Sequence, residues 1–299
     1  MSGGPQAEKI RTLFNTIAGD YDRLNHWLSL GIDRTWRKRA LKDILPECGS
    51  EERGESGRLD ADSSAKADAS RPYAVLDVAC GTGDFSLEIA RRCVRHSLPC
   101  TITGLDLSEG MLAVMREKVA RAGFLEGASG SEASDSKAFR SGDIGVTISV
   151  LQGNSEAMPF DDGSFDCVTI AFGIRNFEHR EQALQEILRV LKPGGRLVIL
   201  ELSVPATPVL RWCYNLYFTH ILPWIGGWIS GDKAAYRYLP ASVLKFPGKE
   251  EWMQTMRSCG YTEVRHKAYT LGICRQYVGL RPSVRPSAKS AGVQDTGNQ

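Results

Sequence analysis

The stretch Ala74-Val-Leu-Asp77-Val-Ala-Cys-Gly81-Thr82-Gly83-Asp84 joins a short apolar run to a pair of glycines, and its reading decides the fold. Ala74 to Val78 is short and apolar enough to be a buried strand of a parallel sheet. Gly81 and Gly83 let the backbone turn tightly and approach a ligand with no Cβ in the way. The spacing departs from the dinucleotide fingerprint G-x-G-x-x-G, because Ser86 stands at the third position and Asp77 precedes the glycines. A pyrophosphate favours bare backbone N–H groups and is repelled by a nearby carboxylate. A cofactor with a cationic sulfonium and an amino group accepts one. On this stretch alone, a tight strand–helix turn with no ligand remains the alternative.

Working outward, strands and helices alternate. Phe85 to Cys93 has helical spacing, with Phe85, Ile89 and Cys93 on one face. Thr101 to Leu107 is a second strand, followed by a helix from Glu109 to Ala122. Ile148 to Gln152 and Phe165 to Phe172 are a third and a fourth strand. A helix from Arg180 to Leu191 ends at a Lys192-Pro193-Gly194-Gly195 turn, and Arg196 to Leu202 is a fifth strand. Such alternation implies right-handed crossovers and a parallel sheet covered by helices on both faces. Ligands of such sheets sit beyond the carboxyl ends of the strands.

Each of those ends carries a motif. Gly104-Leu105-Asp106-Leu107-Ser108 puts an acid at the end of the second strand, a place suited to gripping ribose hydroxyls. Ser108 also serves as an N-cap for the helix that follows. After the third strand, Asn154 offers a donor and an acceptor to an adenine edge, although Asn in a loop is equally a turn residue.

Composition narrows the classes. The 299 residues carry a net charge of +2, well short of the concentrated basic excess of a nucleic-acid binder. The densest basic run, Arg34, Arg37, Lys38, Arg39 and Lys42, is a solvated helix face or a patch for anionic headgroups. None of the eight cysteines forms a C-x-x-C pair, and the polar opening residues lack an apolar signal core, so a cytoplasmic protein is expected. Val209 to Ile229 is apolar, but Arg211, Asn215, His220 and Pro223 interrupt it, which argues against a membrane span. Cys48 to Pro72, Gly123 to Gly145 and the tail from Arg281 are poor in large hydrophobes and read as flexible. The expected organisation is one domain over 1–281, with a helical segment 9–46, flexible loops 48–72 and 123–145, a mostly helical insertion 206–247 and a tail 282–299.

Taken together, Asp-x-x-x-Gly-x-Gly, the ribose acid, Gly153-Asn-x-Glu-x-x-Pro-Phe160 and Leu191-Lys-Pro-Gly-Gly195 resemble the class I S-adenosylmethionine methyltransferases. Closer still, Phe14-Asn-Thr-Ile-Ala-Gly-Asp-Tyr21-Asp22-Arg-Leu-Asn25, Thr169-Ile-Ala171-Phe172-Gly-Ile-Arg175-Asn176 and the segment Ser230 to Pro247 resemble the ubiquinone/menaquinone biosynthesis C-methyltransferases. The likeness runs from about Lys9 to Arg281, apart from the two loops. It implies a Rossmann-like α/β fold with a seven-stranded, mostly parallel sheet and an N-terminal helical lid. It further implies C-methylation of a polyprenylated quinol, most of all demethylmenaquinol, with S-adenosylmethionine as methyl donor and no metal. Cofactor contacts would then fall on Asp77, Gly81, Thr82, Gly83, Asp106, Leu107, Asn154, Ser155 and Ala171. Many members have Ser where this chain has Ala171. Substrate contacts would fall on Tyr21, Asp22, Asn25, Phe172 and Asn176. Peripheral association with a membrane surface and a homodimer are also expected, and no nucleic-acid partner.

The chemistry needs a nucleophilic ring carbon, which a hydroquinone supplies when it loses a phenolic proton of ordinary pKa about 10. Arg175, past the fourth strand, is expected to stabilise that phenolate, the alternative being that it pairs with a carboxylate to fix its loop. His179 is a second candidate for acid–base work. The aromatic residues Trp212, Tyr214, Tyr217, Phe218, Trp224 and Trp228 read as core or as an interfacial surface for a prenyl tail. Two other readings compete: a non-catalytic cofactor-binding subunit, and an NAD-dependent enzyme, which Asp77 and the missing third glycine disfavour.

Overall fold

Residues buried on both faces of a parallel sheet must be apolar whichever way they point, so the short apolar runs between turns become its strands. A computed structural model describes residues 4–19, 21–22, 29, 31–45, 71–125, 144–216 and 233–283. In chain order the elements are α1 (Pro5–Ile17), α2 (Ile32–Ile44), β1 (Tyr73–Val78), α3 (Asp84–Arg95), β2 (Cys100–Asp106), α4 (Glu109–Arg121) and β3 (Val146–Gln152). They continue with β4 (Phe165–Ala171), α5 (Arg180–Val190), β5 (Leu191–Leu202), α6 (Pro208–Leu216), α7 (Lys233–Leu244), α8 (Lys249–Ser258), β6 (Thr262–Tyr269) and β7 (Cys274–Leu280). One-turn 3₁₀ helices cover Ile174–Asn176 and Thr270–Gly272.

The strands form one seven-stranded sheet in the order β3-β2-β1-β4-β5-β7-β6, the mostly parallel sheet expected. β1 to β5 are parallel, and β7 enters antiparallel between β5 and β6. The chain winds outward from β1 to β3 and then returns to lay β4 on the other side of β1. That reversal opens a crevice at the carboxyl ends of β1 and β4, the place where ligands of such sheets bind.

Two apolar layers flank the sheet. One is filled by α2, α3 and α4, through Trp36, Ile44, Phe85, Ile89, Leu112 and Met115. The other is filled by α5 and α8, through Leu184, Ile187, Trp252 and Met256. The helical face of Phe85, Ile89 and Cys93 is buried, as its spacing requires. The expected turn at Lys192–Gly195 is looped out within β5: Leu191 pairs with Phe165 and Arg196 with Cys167, and Gly194 takes φ 76°.

Apart from their ends, the loops 48–72 and 123–145 lie outside the described residues, as do the tail beyond Ser283 and the aromatic residues Tyr217, Phe218, Trp224 and Trp228. Among the described residues no helix is long and apolar enough to cross a membrane. Cys80, Cys93, Cys100, Cys167 and Cys274 are buried free thiols.

Candidate active site

The glycine turn is built for close approach. Gly81 and Gly83 take φ of 56° and 80°, the left-handed region that only glycine enters without strain. A Cβ on Gly83 would lie 2.5 Å from Met115 Cγ of α4. The turn thus lets α3 start hard against α4, and it exposes backbone donors toward the end of β2. Gly81 N–H donates to Asp106 Oδ2 at 2.9 Å, and Ser108 N–H to Oδ1 at 2.8 Å. Burial pushes the Asp106 carboxyl above its ordinary range, and the backbone donors of Ser108, Gly81 and Leu107 pull it back. Ser108 Oγ accepts from Met111 N at 3.3 Å, so the N-cap expected at this position forms.

Asp77, at the end of β1, is 1% exposed, and both of its oxygens are occupied. Ser86 Oγ of α3 donates to one at 2.5 Å and Thr169 Oγ1 of β4 to the other at 2.8 Å. Burial pushes this carboxyl up to about 6 against those hydrogen bonds. The acid read as a partner for a cationic cofactor therefore also ties three elements together beneath the crevice.

A cleft with about 760 Å³ of space, open to solvent, lies over the strand ends. Its lining includes Gly81 after β1, Asp106 and Leu107 after β2, Asn154 and Ser155 after β3, and Ala171, Phe172 and Asn176 after β4, together with Tyr21. A smaller adjoining hollow is lined by Asp77, Thr82, Arg37 and again Tyr21 and Phe172. Nearly all the expected cofactor and substrate residues are thereby brought to one place. Gly83 shapes the turn beneath without lining either hollow. Asn25 lies outside the described residues.

Backbone strain concentrates at the rim. Ala79 and Phe172, on the two sides of the crevice, take φ of 54° and 61°, conformations that non-glycine residues hold only when their surroundings impose them. The Phe172 ring lies 6.1 Å from Trp36, and the Arg37 guanidinium sits 5.9 Å from its centroid.

α1 roofs the cleft with Ala7, Ile10 and Phe14. Near its start, Ala7 N–H donates to Glu178 at 3.2 Å. Near its end, Asn15 Oδ1 accepts from Ser108 Oγ at 2.6 Å and from Gly110 N–H at 3.0 Å. Phe14 meets Tyr21 edge to face at 5.9 Å.

Two of the expected site residues stand in ion pairs. Asp22, expected at the substrate, accepts from Thr82 Oγ1 at 2.5 Å and pairs with Lys118 at 2.8 Å. Lys118 also pairs with Asp84, and Asp84 with Arg37 at 3.1 Å. Asp22 thus latches the N-terminal segment to α3 and α4. Arg175, expected to face the acceptor, lines neither hollow. It is buried, pairs with Glu201 Oε1 at 2.7 Å and donates to the Phe172 carbonyl. A wholly buried Glu201 demands a cation, and Arg175 supplies it. His179 stands exposed, paired with Glu156 at 3.0 Å, which raises its pKa. The basic run on α2 divides, with Arg34 and Lys38 exposed and Arg37 buried between Asp33 and Asp84.

Sequence reasoning missed Lys118, Glu201 and Glu178. Glu201 had a signal, since a lone acid in the apolar run Leu197 to Leu202 has to be paired. Among the described residues no group of three or more His, Cys, Asp or Glu is arranged to hold a metal.

Comparison with known proteins adds to this geometry. The family described as the ubiE/COQ5 methyltransferase family matches residues 4–281. The chain is 43% identical over 274 residues to the ubiquinone/menaquinone biosynthesis C-methyltransferase UbiE of Geobacter sulfurreducens, covering 92% of this chain and 89% of that protein. It is 36% identical over 279 residues to the demethylmenaquinone methyltransferase of Porphyromonas gingivalis, covering 93% and 94%. Among solved structures, a SAM-dependent methyltransferase from Thermotoga maritima superposes with a TM-score of 0.52 at 20% identity, over 90% of this chain and 98% of that one, a likeness of fold alone.

Proposed function

The chain belongs to the ubiE/COQ5 methyltransferase family and is an S-adenosylmethionine-dependent C-methyltransferase of quinol rings, and we propose that its acceptor is a polyprenylated demethylmenaquinol held under α1. One observation supports this reading above the others. The cleft joins an oriented carboxylate, Asp106, to an aromatic wall of Phe14, Tyr21, Phe172 and Phe177. A nucleoside needs the first and a flat apolar ring the second.

The residues present fit the methyl donor. Asp106 has both oxygens aimed by backbone donors and no described side-chain partner, so it is ready to accept from vicinal hydroxyls. Asn154 commits Oδ1 to Glu156 N–H at 3.0 Å and keeps its amide nitrogen as a donor. Asp77 supplies negative charge under the hollow beside Gly81 and Thr82. Bound there, S-adenosylmethionine supplies an electrophilic methyl group on a cationic sulfur.

The chain's own residues then position and shield. α1, tied to Glu178 and to the start of α4, keeps water from the ring and fixes its distance from the strand ends. Arg175 is a positioning residue: through Glu201 and the Phe172 carbonyl it holds Phe172 in its strained conformation beside the acceptor.

Incubating the protein with methyl-labelled S-adenosylmethionine and demethylmenaquinol should place label in the lipid extract. Label entering only a ubiquinone-pathway benzoquinol would replace the acceptor. Cofactor binding without transfer to either would mark a non-catalytic binding subunit.

A further inference from the structure

Scattered surface hydrophobes are ordinary, but clustered ones mark an interaction surface. Among the described residues the large hydrophobic side chains most open to water are Leu271 at 79% exposed, Val209 at 73%, Trp212 at 65% and Leu244 at 61%. Val209, Trp212 and the exposed Leu216 share one face of α6, while Tyr214 on the other face is buried. Leu271 sits in the turn between β6 and β7, and the two segments are joined. Ser203 N–H donates to the Ile273 carbonyl at 2.8 Å, and Ser203 Oγ to the Gly272 carbonyl at 2.6 Å. Ile32, also exposed, lies one turn before Trp36, whose Nε1 donates to Thr270 Oγ1 at 2.8 Å. Leu244 ends α7, whose Tyr238 hydroxyl donates to Asn176 at the cleft at 2.9 Å. Val209, Trp212, Leu271 and Ile32 thus lie on segments joined near the carboxyl end of β5, whereas Leu244 lies two residues from Phe246, which packs on Trp252 in the other apolar layer. Leu151, the remaining exposed one, is on β3 at the opposite edge of the sheet.

The charge that α6 and the β6–β7 turn themselves carry is positive. Residues 202–216 and 264–281 contain no Asp or Glu and present Arg211 and Lys267 to solvent, the exposed Glu250, Glu251 and Glu263 lying outside these two segments. A second copy of the chain would set this cationic face against itself, because a twofold contact brings the same patch from each subunit together. An anionic bilayer answers both features: aromatic and aliphatic side chains settle at the headgroup–acyl boundary, and Lys and Arg pair with the headgroups.

We infer that the face formed by α6 and the β6–β7 turn docks on an anionic lipid bilayer, with Trp212 and Leu271 inserted, so that a lipid acceptor passes from the bilayer to the cleft. The purpose of the docking rests on the polyprenylated-quinol reading; the docking itself is measured without it.

The test is co-sedimentation of the full chain with vesicles of phosphatidylethanolamine and phosphatidylglycerol, compared with vesicles of phosphatidylcholine alone. The wild type is expected to bind the anionic vesicles, with binding weakened by salt. W212E/L271E is expected to lose affinity about tenfold or more, since binding scales with the apolar area inserted. L151E should bind as the wild type does. Turnover of a short-chain, water-soluble quinol should be the same in wild type and W212E/L271E, which separates docking from folding and from chemistry. Wild-type protein left in the supernatant, W212E/L271E binding unchanged, or L151E losing as much would each overturn the docking face. A dimer in sedimentation velocity that W212E/L271E dissociates, with no vesicle binding, would make the face a self-interface instead. Absence of turnover on any quinol, with vesicle binding intact, would overturn the acceptor and leave the docking face standing.

Discussion

Replacing Asp77 with Asn removes a buried charge while keeping the shape of the side chain. Asp77 is 1% exposed, its two oxygens accept from Ser86 and Thr169, and burial pushes its carboxyl up to about 6 from an ordinary value of 3.8. Between those two values the folded chain holds a proton that the unfolded chain has released, so stability falls as pH rises through the window. Below it both states are protonated and above it both are ionised, so the difference is constant on either side. At about 1.36 kcal/mol per pH unit, ionising Asp77 costs the fold about 3 kcal/mol at neutral pH. Asn mimics the protonated acid: one hydroxyl goes on donating to its carbonyl, and the other turns to accept from its NH2. D77N without cofactor should therefore match the wild type near pH 4 and exceed it by up to about 3 kcal/mol at pH 7.5 in urea titrations. The same substitution should weaken binding of the cationic methyl donor. Wild-type binding near pH 5.5 should release a proton, seen by calorimetry in buffers of differing ionisation enthalpy, and D77N should release none. A stability difference between D77N and wild type that stays flat from pH 4 to 7.5 would refute the reasoning.

Three further outcomes follow from the same geometry. Asp106→Ala should weaken S-adenosylmethionine binding by about 1.5–3 kcal/mol, the range for hydrogen bonds to a charged group, as read by titration calorimetry on a folded variant. Arg175→Ala leaves Glu201 charged and buried and should destabilise the fold by about 3–5 kcal/mol in denaturant titration. Raising the pH toward the acceptor phenol's own pKa should not rescue Arg175→Ala turnover, whereas a direct role in holding the phenolate would show such rescue. Gly83→Ala should cost about 1–2 kcal/mol for the left-handed backbone and about 1–3 kcal/mol for overpacking against Met115, with the thermal midpoint as the measure.

Much of this was legible in the sequence because local rules and tertiary demands agree there. The strands β1 to β5 are apolar runs punctuated by turns, and their parallel pairing follows from the alternation with helices. Gly81, Asp106, Asn154 and Phe172 stand at strand ends, where the topology makes a crevice. Two features were not legible, for physical reasons. β6 and β7 break the apolar pattern: β6 is a largely exposed edge strand, and β7 buries Arg275 and Gln276, which is tolerable because Gln276 is bonded to Tyr269 and to Asp43 of α2. Likewise the roles of Asp22 and Arg175 depend on Lys118 and Glu201, partners 96 and 26 residues away that no local pattern announces. A charged side chain near a strand end reads as catalytic until its counter-ion is seen.

The placement of β7 has a consequence for how the chain is made. β5 is complete by Leu202, yet its free edge is covered only by β7, which ends at Leu280, and β7 in turn brings β6. During synthesis β1 to β5 can assemble before the 71 residues that separate Leu202 from Cys274 have been translated, and throughout that interval β5 offers an unsatisfied, apolar strand edge to any neighbouring nascent chain. The last of the described strands to emerge is an interior one, so assembly has to finish by insertion rather than by addition at a margin. Slow translation or early termination before Cys274 would therefore leave a sticky open sheet rather than a smaller stable domain, and holding that edge is the service a ribosome-bound chaperone would render.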